Sequence, residues 1–231
     1  MANSDVRQLL SSLQFSDSAF PSGFYTMSHG LEGYAQARLV ERGDVQELLA
    51  ELLTHSVGPG DATALAAAHR AALAADWGLV QEVDQRLFAS KLNAEMRRAS
   101  VRSGHQLTDL AGEVIGGPAL AEYGRRVTAG TTPGCQPVAT AMVYADSGVE
   151  TEQAVASDLF AFAVSFVGAA LRLRLTDHRH AQVMLHGTGA VIEQVAADAV
   201  ARDLADLGGC APVADIMSAQ HERAEARLFA S

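Results

Sequence analysis

Lysine is nearly absent: Lys91 is the only one among 17 basic residues. That scarcity removes two kinds of chemistry. A phosphate-cradling P-loop needs G-x-x-x-x-G-K-[ST], and Phe88, Ala89 and Ser90 precede Lys91 with no glycine near. A Schiff-base lysine would have to be Lys91 itself, in a charged stretch with Arg86 and Glu95 that does not favour the free amine such chemistry needs. Cysteine is also scarce. Cys135 and Cys210 form no C-x-x-C pair and no disulfide framework, which points to a reducing compartment. Asp5 and Arg7 interrupt any apolar leader segment at the N-terminus. One uncharged and strongly apolar run, Leu159 to Leu171, covers 13 residues. A membrane span needs about 20, so the run reads as a buried core helix. Prolines number six and aromatics make up 6%, which favours closely packed helices over sheets.

What is present is acid and helical periodicity. The 27 acidic residues leave a net charge of −10. Such a polyanion is repelled by nucleic acid and by anionic membrane surfaces, so neither is an expected partner. Val6, Leu9, Leu10 and Leu13 form an i, i+3, i+4, i+7 stripe behind a candidate cap at Ser4. Val45, Leu48, Leu49, Leu52, Leu53 and Val57 form another, which Gly58-Pro59-Gly60 should close before Asp61 opens an alanine-rich helix. Further helices are expected over about 79–88, 92–114, 150–174, 178–207 (with a bend near Gly187 and Gly189) and 212–227. Breaks fall at Gly116-Gly117-Pro118, at Thr131-Thr132-Pro133-Gly134 and at Gly208-Gly209. The 150–174 helix is apolar on nearly all sides in its second half and should be central. No strand alternation, repeat or interdomain linker is visible. The expectation is an all-α fold: one compact bundle of roughly eight to ten helices over residues 1–231, with a short docking tail at about 222–231.

Chemistry-bearing residues form no familiar enzyme motif. None of the eight histidines makes an H-E-x-x-H pair. His178 and His180 point apart on a helix and read as solvated helix-start residues. Cys135 reads as a small buried hydrophobe. No G-x-S-x-G elbow occurs. The segment from Phe15 to Tyr25 is different. Its hydroxyls, acid, proline and glycine between apolar residues make a structured connection suited to a recognition loop.

That segment carries a resemblance. Leu13 to Glu32 resembles the N-terminal signature of the UreF urease accessory proteins, with Pro21, Gly23, Tyr25, Ser28, Gly30, Leu31 and Glu32 in register. The chain's end, His221-Glu222 followed by Arg227-Leu228-Phe229-Ala230-Ser231, resembles the family's H-E-x-x-x-x-R-L-F-x-S. Glu95, Arg97, Ser100, Gly104 and Leu107 resemble a central segment, and Gly134, Pro137, Val138 and Ala139 a further one. Arg172, Leu173 and Gln182 fit the family's helix link, although Leu175 to His178 replace its P-L-G-Q, and Cys135 stands where the family commonly has histidine.

The resemblance implies an all-helical, dimeric, cytoplasmic scaffold rather than an enzyme. It would bind a UreD-type (also called UreH) accessory protein, recruit the UreG GTPase, modulate its GTP hydrolysis and serve nickel insertion into apo-urease. No tightly bound cofactor is expected, nickel being handled by the complex. Partner contacts are expected at Pro21, Gly23, Tyr25, Ser28, Gly30, Glu32, Arg172, Gln182, His221, Glu222, Arg227, Leu228, Phe229 and Ser231. Leu228 and Phe229 lie too near the terminus for local packing alone to hold them, so the tail is read as a docking element. The competing reading is a helical metal-dependent enzyme with scattered histidine and carboxylate ligands.

Overall fold

The computed structural model describes residues 2–230, and those residues contain no strand. The order is α1 (Ala2–Ser16), α2 (Leu31–Gln36), α3 (Val45–Leu52), α4 (Thr63–Leu73), α5 (Trp77–Ser90) and α6 (Ala94–Val114). There follow α7 (Pro118–Thr128), α8 (Gln136–Ser147), α9 (Thr151–Arg172), α10 (His178–Gly187), α11 (Gly189–Ala201) and α12 (Pro212–Glu222). The fold class is all-α, as periodicity implies. More segments form than the expected eight to ten. The bend at Gly187 and Gly189 is a division between α10 and α11, and the six-residue α2 fits between two loops.

Two helix boundaries differ from expectation for clear reasons. Ser4 does not precede α1, which already runs from Ala2. Gly58-Pro59-Gly60 does not end a helix either. Chain direction is kept from α3 to α4 through a π-helical stretch, Leu53–Ala62, that contains Pro59. The wider π turn leaves carbonyls free, and other segments satisfy them. Cys210 N–H donates to His55 O at 2.8 Å and Gly208 N–H to Pro59 O at 2.9 Å. Thr63 Oγ1 donates to Gly58 O at 2.9 Å. Tertiary partners thus replace the bonds that proline and the irregular turn remove.

The core gathers around α4, α8 and α9. Small residues let α4 approach α8 closely, and Ala64, Ala66, Ala68 and Ala71 are buried. Nine consecutive residues of α8, Gln136 to Tyr144, are buried. α9 touches α1, α2, α3, α4, α8, α10 and α11, so the long apolar helix is central. It is the one helix among the described residues long and apolar enough to cross a membrane, and 56% of its apolar window is buried inside the fold. The start of α8 is pinned by Asp84 of α5, a fully buried carboxylate. It accepts hydrogen bonds from Tyr123 Oη (2.9 Å), Thr132 Oγ1 (2.6 Å), Gly134 N (2.8 Å) and Cys135 N (2.9 Å).

Candidate functional site

The N-terminal and C-terminal signature segments, nearly the whole chain apart in sequence, meet at one corner of the fold. α2 begins after Gly30, whose φ of 85° lies in the left-handed region that glycine occupies without strain. α12 lies against α2 so closely that a Cβ on Gly33 would collide with the Met217 carbonyl. The start of α6 completes the corner. Asn93 caps it by accepting from Met96 N at 2.7 Å and donates to Ser218 Oγ of α12 at 3.0 Å.

These three helices present Glu32, Glu95 and His221 to one another. All three are buried. His221 Nε2 lies 2.8 Å from Glu32 Oε2, and Nδ1 lies 3.1 Å from Glu95 Oε2. Arg227 Nη1 donates to the other oxygen of Glu95 at 2.8 Å. Leu228 N–H and Phe229 N–H donate to Glu32 at 2.8 and 3.0 Å. Gln36 Nε2 bridges Glu32 to the Ala226 carbonyl at 3.4 and 3.2 Å. Hydrogen bonds to charged groups are each worth roughly 1.5–3 kcal/mol, and a buried carboxylate left without them is strongly unfavourable. The C-terminal tail is therefore fastened to the first signature by its backbone.

A second fastening runs through Arg172 at the end of α9. Its guanidinium lies 4.3 Å from the Tyr25 ring centroid and 4.2 Å from that of Phe229, a cation–π sandwich joining both signatures. Burial lowers the Arg172 pKa, an effect that Tyr25 opposes. Ala230 N–H donates to Thr26 O at 2.8 Å and closes the tail onto the N-terminal loop.

This geometry corrects several expectations. Phe229 is only 5% exposed, so the tail's apolar residues are not both loose anchors. Arg227 holds Glu95 within the chain. Glu32 pairs with a histidine and backbone amides. Glu222 reaches Arg98 of α6 at 2.7 Å, and α12 stops at Glu222, short of the expected end near 227, because the backbone turns towards Glu32. What remains open on this face is Tyr25, 61% exposed, and Leu228, 65% exposed. Pro21 is exposed, Gly23 adopts a positive φ of 91°, and Ser28 is buried with Oγ accepting from Glu32 N at 3.4 Å. Gln182 sits on the exposed side of α10, and no hydrogen bond or ion pair among the described residues joins it to this corner. Ser231 lies outside the described residues.

Beside this corner is a cavity of about 130 Å³ bordered by Phe15, Asp17, Tyr25, Asp158 and Arg172. Asp158 and Gln136 also line a second cavity of about 110 Å³ with Lys91, Asp61 and His29. Burial raises the Asp158 carboxyl to about 6, an effect partly opposed by a hydrogen bond from Gln136. Burial, then Lys91 and Arg172, lowers the His29 imidazole to about 3. α1 borders the first of these cavities and turns its stripe away from the body. Val6, Leu9, Leu10 and Leu13 are 56–59% exposed.

Known proteins are similar to this chain over nearly its full length. A family model for UreF matches residues 39–189. A Brucella canis protein, urease accessory protein UreF 2, is 31% identical over 96% of this chain and 91% of its own length. The Trichodesmium erythraeum urease accessory protein UreF is 31% identical over the whole of both chains. That of Yersinia pseudotuberculosis is 30% identical over 98% of this chain and all of its own.

The chain belongs to the UreF family.

It is accordingly a urease accessory protein, and its relatives are named as accessory proteins rather than as enzymes. The family-model match stops short of both signature segments, whereas the alignment with the Trichodesmium erythraeum relative extends across them. The departures from the UreF pattern have local explanations. Cys135 is fully buried and its backbone serves Asp84; burial, and then Asp84, raises the thiol far above its ordinary range. The altered link ends in an N-cap, with Asp177 accepting from Arg179 N at 2.9 Å and His180 N at 3.0 Å. Those bonds hold the Asp177 carboxyl below its usual range and leave His178 and His180 exposed at the start of α10. Sequence reasoning missed Asn93, Glu95 and Arg98 as members of the corner. Glu95 falls in the central UreF-like segment, but an acid on a polar helix reads as solvated surface until its partners are known.

Proposed function

We propose that this UreF-family chain is a docking scaffold for urease maturation. It binds a UreD/UreH-type partner and recruits the UreG GTPase, modulating its GTP hydrolysis during nickel insertion into apo-urease. In this reading it acts in the cytoplasm as a homodimer and holds no resident cofactor, and nickel is cargo of the complex. The observation that supports the reading best is the convergence of the two signatures around Arg172. It leaves Tyr25 and Leu228 open, and the leucine face of α1 is open as well. Aromatic and apolar side chains presented by a rigid base are what an interface core requires. Exposed apolar surface of this extent is uncommon unless a partner covers it.

Capture by immobilised UreD-type protein tests the reading. Tyr25→Ala and Leu228→Asp should each reduce capture of the partner, and then of UreG, and Leu228→Asp should do so with the melting temperature unchanged. Wild-type capture and full urease activation by both variants would reject this surface as the docking face. The metal-dependent enzyme reading requires at least three convergent ligands. No group of three or more His, Cys, Asp or Glu among the described residues is placed to hold a metal ion. A stoichiometric metal in the purified chain alone would revive that reading.

A further inference from the structure

Among the described residues Arg172 has no carboxylate partner. Its Nε–H donates to the Gly168 carbonyl at 3.2 Å, and the Tyr25 and Phe229 rings flank the guanidinium and fix its plane. The two Nη groups at its edge make no hydrogen bond among the described residues. Arg172 borders the cavity of about 130 Å³, and so does Ser22. Ser22 is only 9% exposed, and its hydroxyl likewise makes no hydrogen bond among the described residues. The two acids that line the same cavity serve other donors. Asp17 Oδ1 accepts from Ala19 N–H at 2.7 Å, and Asp158 Oδ1 from Gln136 Nε2 at 2.8 Å. A planar guanidinium edge offers paired N–H donors to the two oxygens of a carboxylate. A spherical anion cannot use that fork, and the negative charge of Asp17 and Asp158 disfavours anions that do not.

We propose that the Arg172 cavity receives a carboxylate, carried on an acidic side chain of the protein that docks on this face. The source of the carboxylate rests on the docking reading above; the site itself does not. Tyr25 belongs both to the cavity and to the open surface, at 61% exposed, so a side chain can enter beside it while its own backbone stays outside. Between the rings the fork is already oriented, and little freedom is lost when the carboxylate arrives. A charge pair closed off from water in this way gives an interface its register as well as its strength.

The first measurement is nuclear magnetic resonance on the full chain, labelled at backbone amides and arginine side-chain nitrogens, as sodium acetate replaces sodium chloride at constant ionic strength. Acetate should shift Arg172 Nε and the Ser22 and Tyr25 amides along one saturable curve, and Arg172→Gln should abolish the response. Because that variant could loosen the tail, Gly168→Leu provides the second reading. Gly168 lines the cavity, and a Cβ placed on it meets nothing within 4 Å. The leucine therefore fills the space while the carbonyl that holds Arg172 stays. The acetate response should vanish in Gly168→Leu with the Leu228 and Phe229 amides still protected from exchange. Shifts that never saturate, or that persist in both variants, would overturn the site. The second measurement is capture by immobilised UreD-type protein in chloride. Gly168→Leu should weaken capture roughly tenfold or more, and acetate should compete with capture of the wild type. Undiminished capture of Gly168→Leu beside saturable acetate binding would reject the partner's side chain as the source and leave a free carboxylate as the occupant. Failure to capture the wild type would reject the docking reading and with it this source, and the acetate titration would still decide the site.

Discussion

Two stretches of this chain carry the same apolar spacing, V-x-x-L-L-x-x-L, and meet opposite fates. In α3, Val45, Leu49 and Leu52 are 0–5% exposed, packed in the core. In α1, Val6, Leu9, Leu10 and Leu13 face outward. The difference lies in the other residues and in the neighbours. α1 turns a polar edge inward, where Gln8 Nε2 donates to Gly148 O at 2.6 Å beyond the end of α8. Phe15 alone of its large side chains packs on the body, against Phe20 at 5.0 Å. α3 runs straight into the π-helical stretch and α4, so its apolar face is carried into the core by a continuous rod. Burial of a leucine is worth about 1.5–3 kcal/mol. α1 forgoes that gain within the chain, which is why its face is a docking candidate and that of α3 is not.

The contrast can be broken directly. Leu49→Asp should bury an unpaired charge and remove about 5 kcal/mol or more, enough to abolish a cooperative melt. Leu10→Asp should stay within about 0.5 kcal/mol of the wild type in thermal denaturation, yet lose capture by a UreD-type partner. Equal destabilisation by the two would show that α1 packs inward in solution.

The tail corner sits between these extremes, with a buried polar core and an open apolar rim. Glu32→Ala strips His221, Gln36 and two tail amides of their acceptor, and should cost about 3–5 kcal/mol in chemical denaturation. It should also expose the tail to proteolysis.

Next in size is an effect of pH. The folded-state value of Asp158, about 6, lies above its ordinary 3.8, so its contribution is fully present below the unfolded value. It is lost as pH rises through about 6. Asp158→Asn should therefore gain about 2–3 kcal/mol on the wild type between about pH 4 and pH 7, read from denaturation midpoints. A constant offset across that range would show that the carboxyl is not desolvated. The smallest effect is that of Arg172→Lys, which keeps the charge but loses the planar sandwich. It should cost about 1 kcal/mol and loosen Phe229, measurable as faster amide exchange in the tail.

Much of the fold was legible because helices announce themselves in apolar spacing and stop at local signals. Gly117-Pro118 does open α7 and the uncharged run of α9 is central, but α11 stops at Ala201, short of the expected end at 207 and before Gly208-Gly209. Gly58-Pro59-Gly60 misled because its breaking power is local, whereas its rescue by Gly208 and Cys210 comes from far along the chain. The site was legible only as a set of matched residues. The signature named Glu32 and His221 without indicating that they touch, and Glu95 looked like surface.

The sequence alone determined that this chain is helical, lacks a phosphate-binding lysine loop and carries UreF-like segments at both ends. Local propensity, residue scarcity and ordered motifs need no third dimension. Only the tertiary structure decided which of two identical leucine stripes is buried, and that the two ends form one corner. Burial and ion pairing depend on what the rest of the chain brings alongside. Glu32 and His221 stand 189 residues apart in sequence and 2.8 Å apart in space.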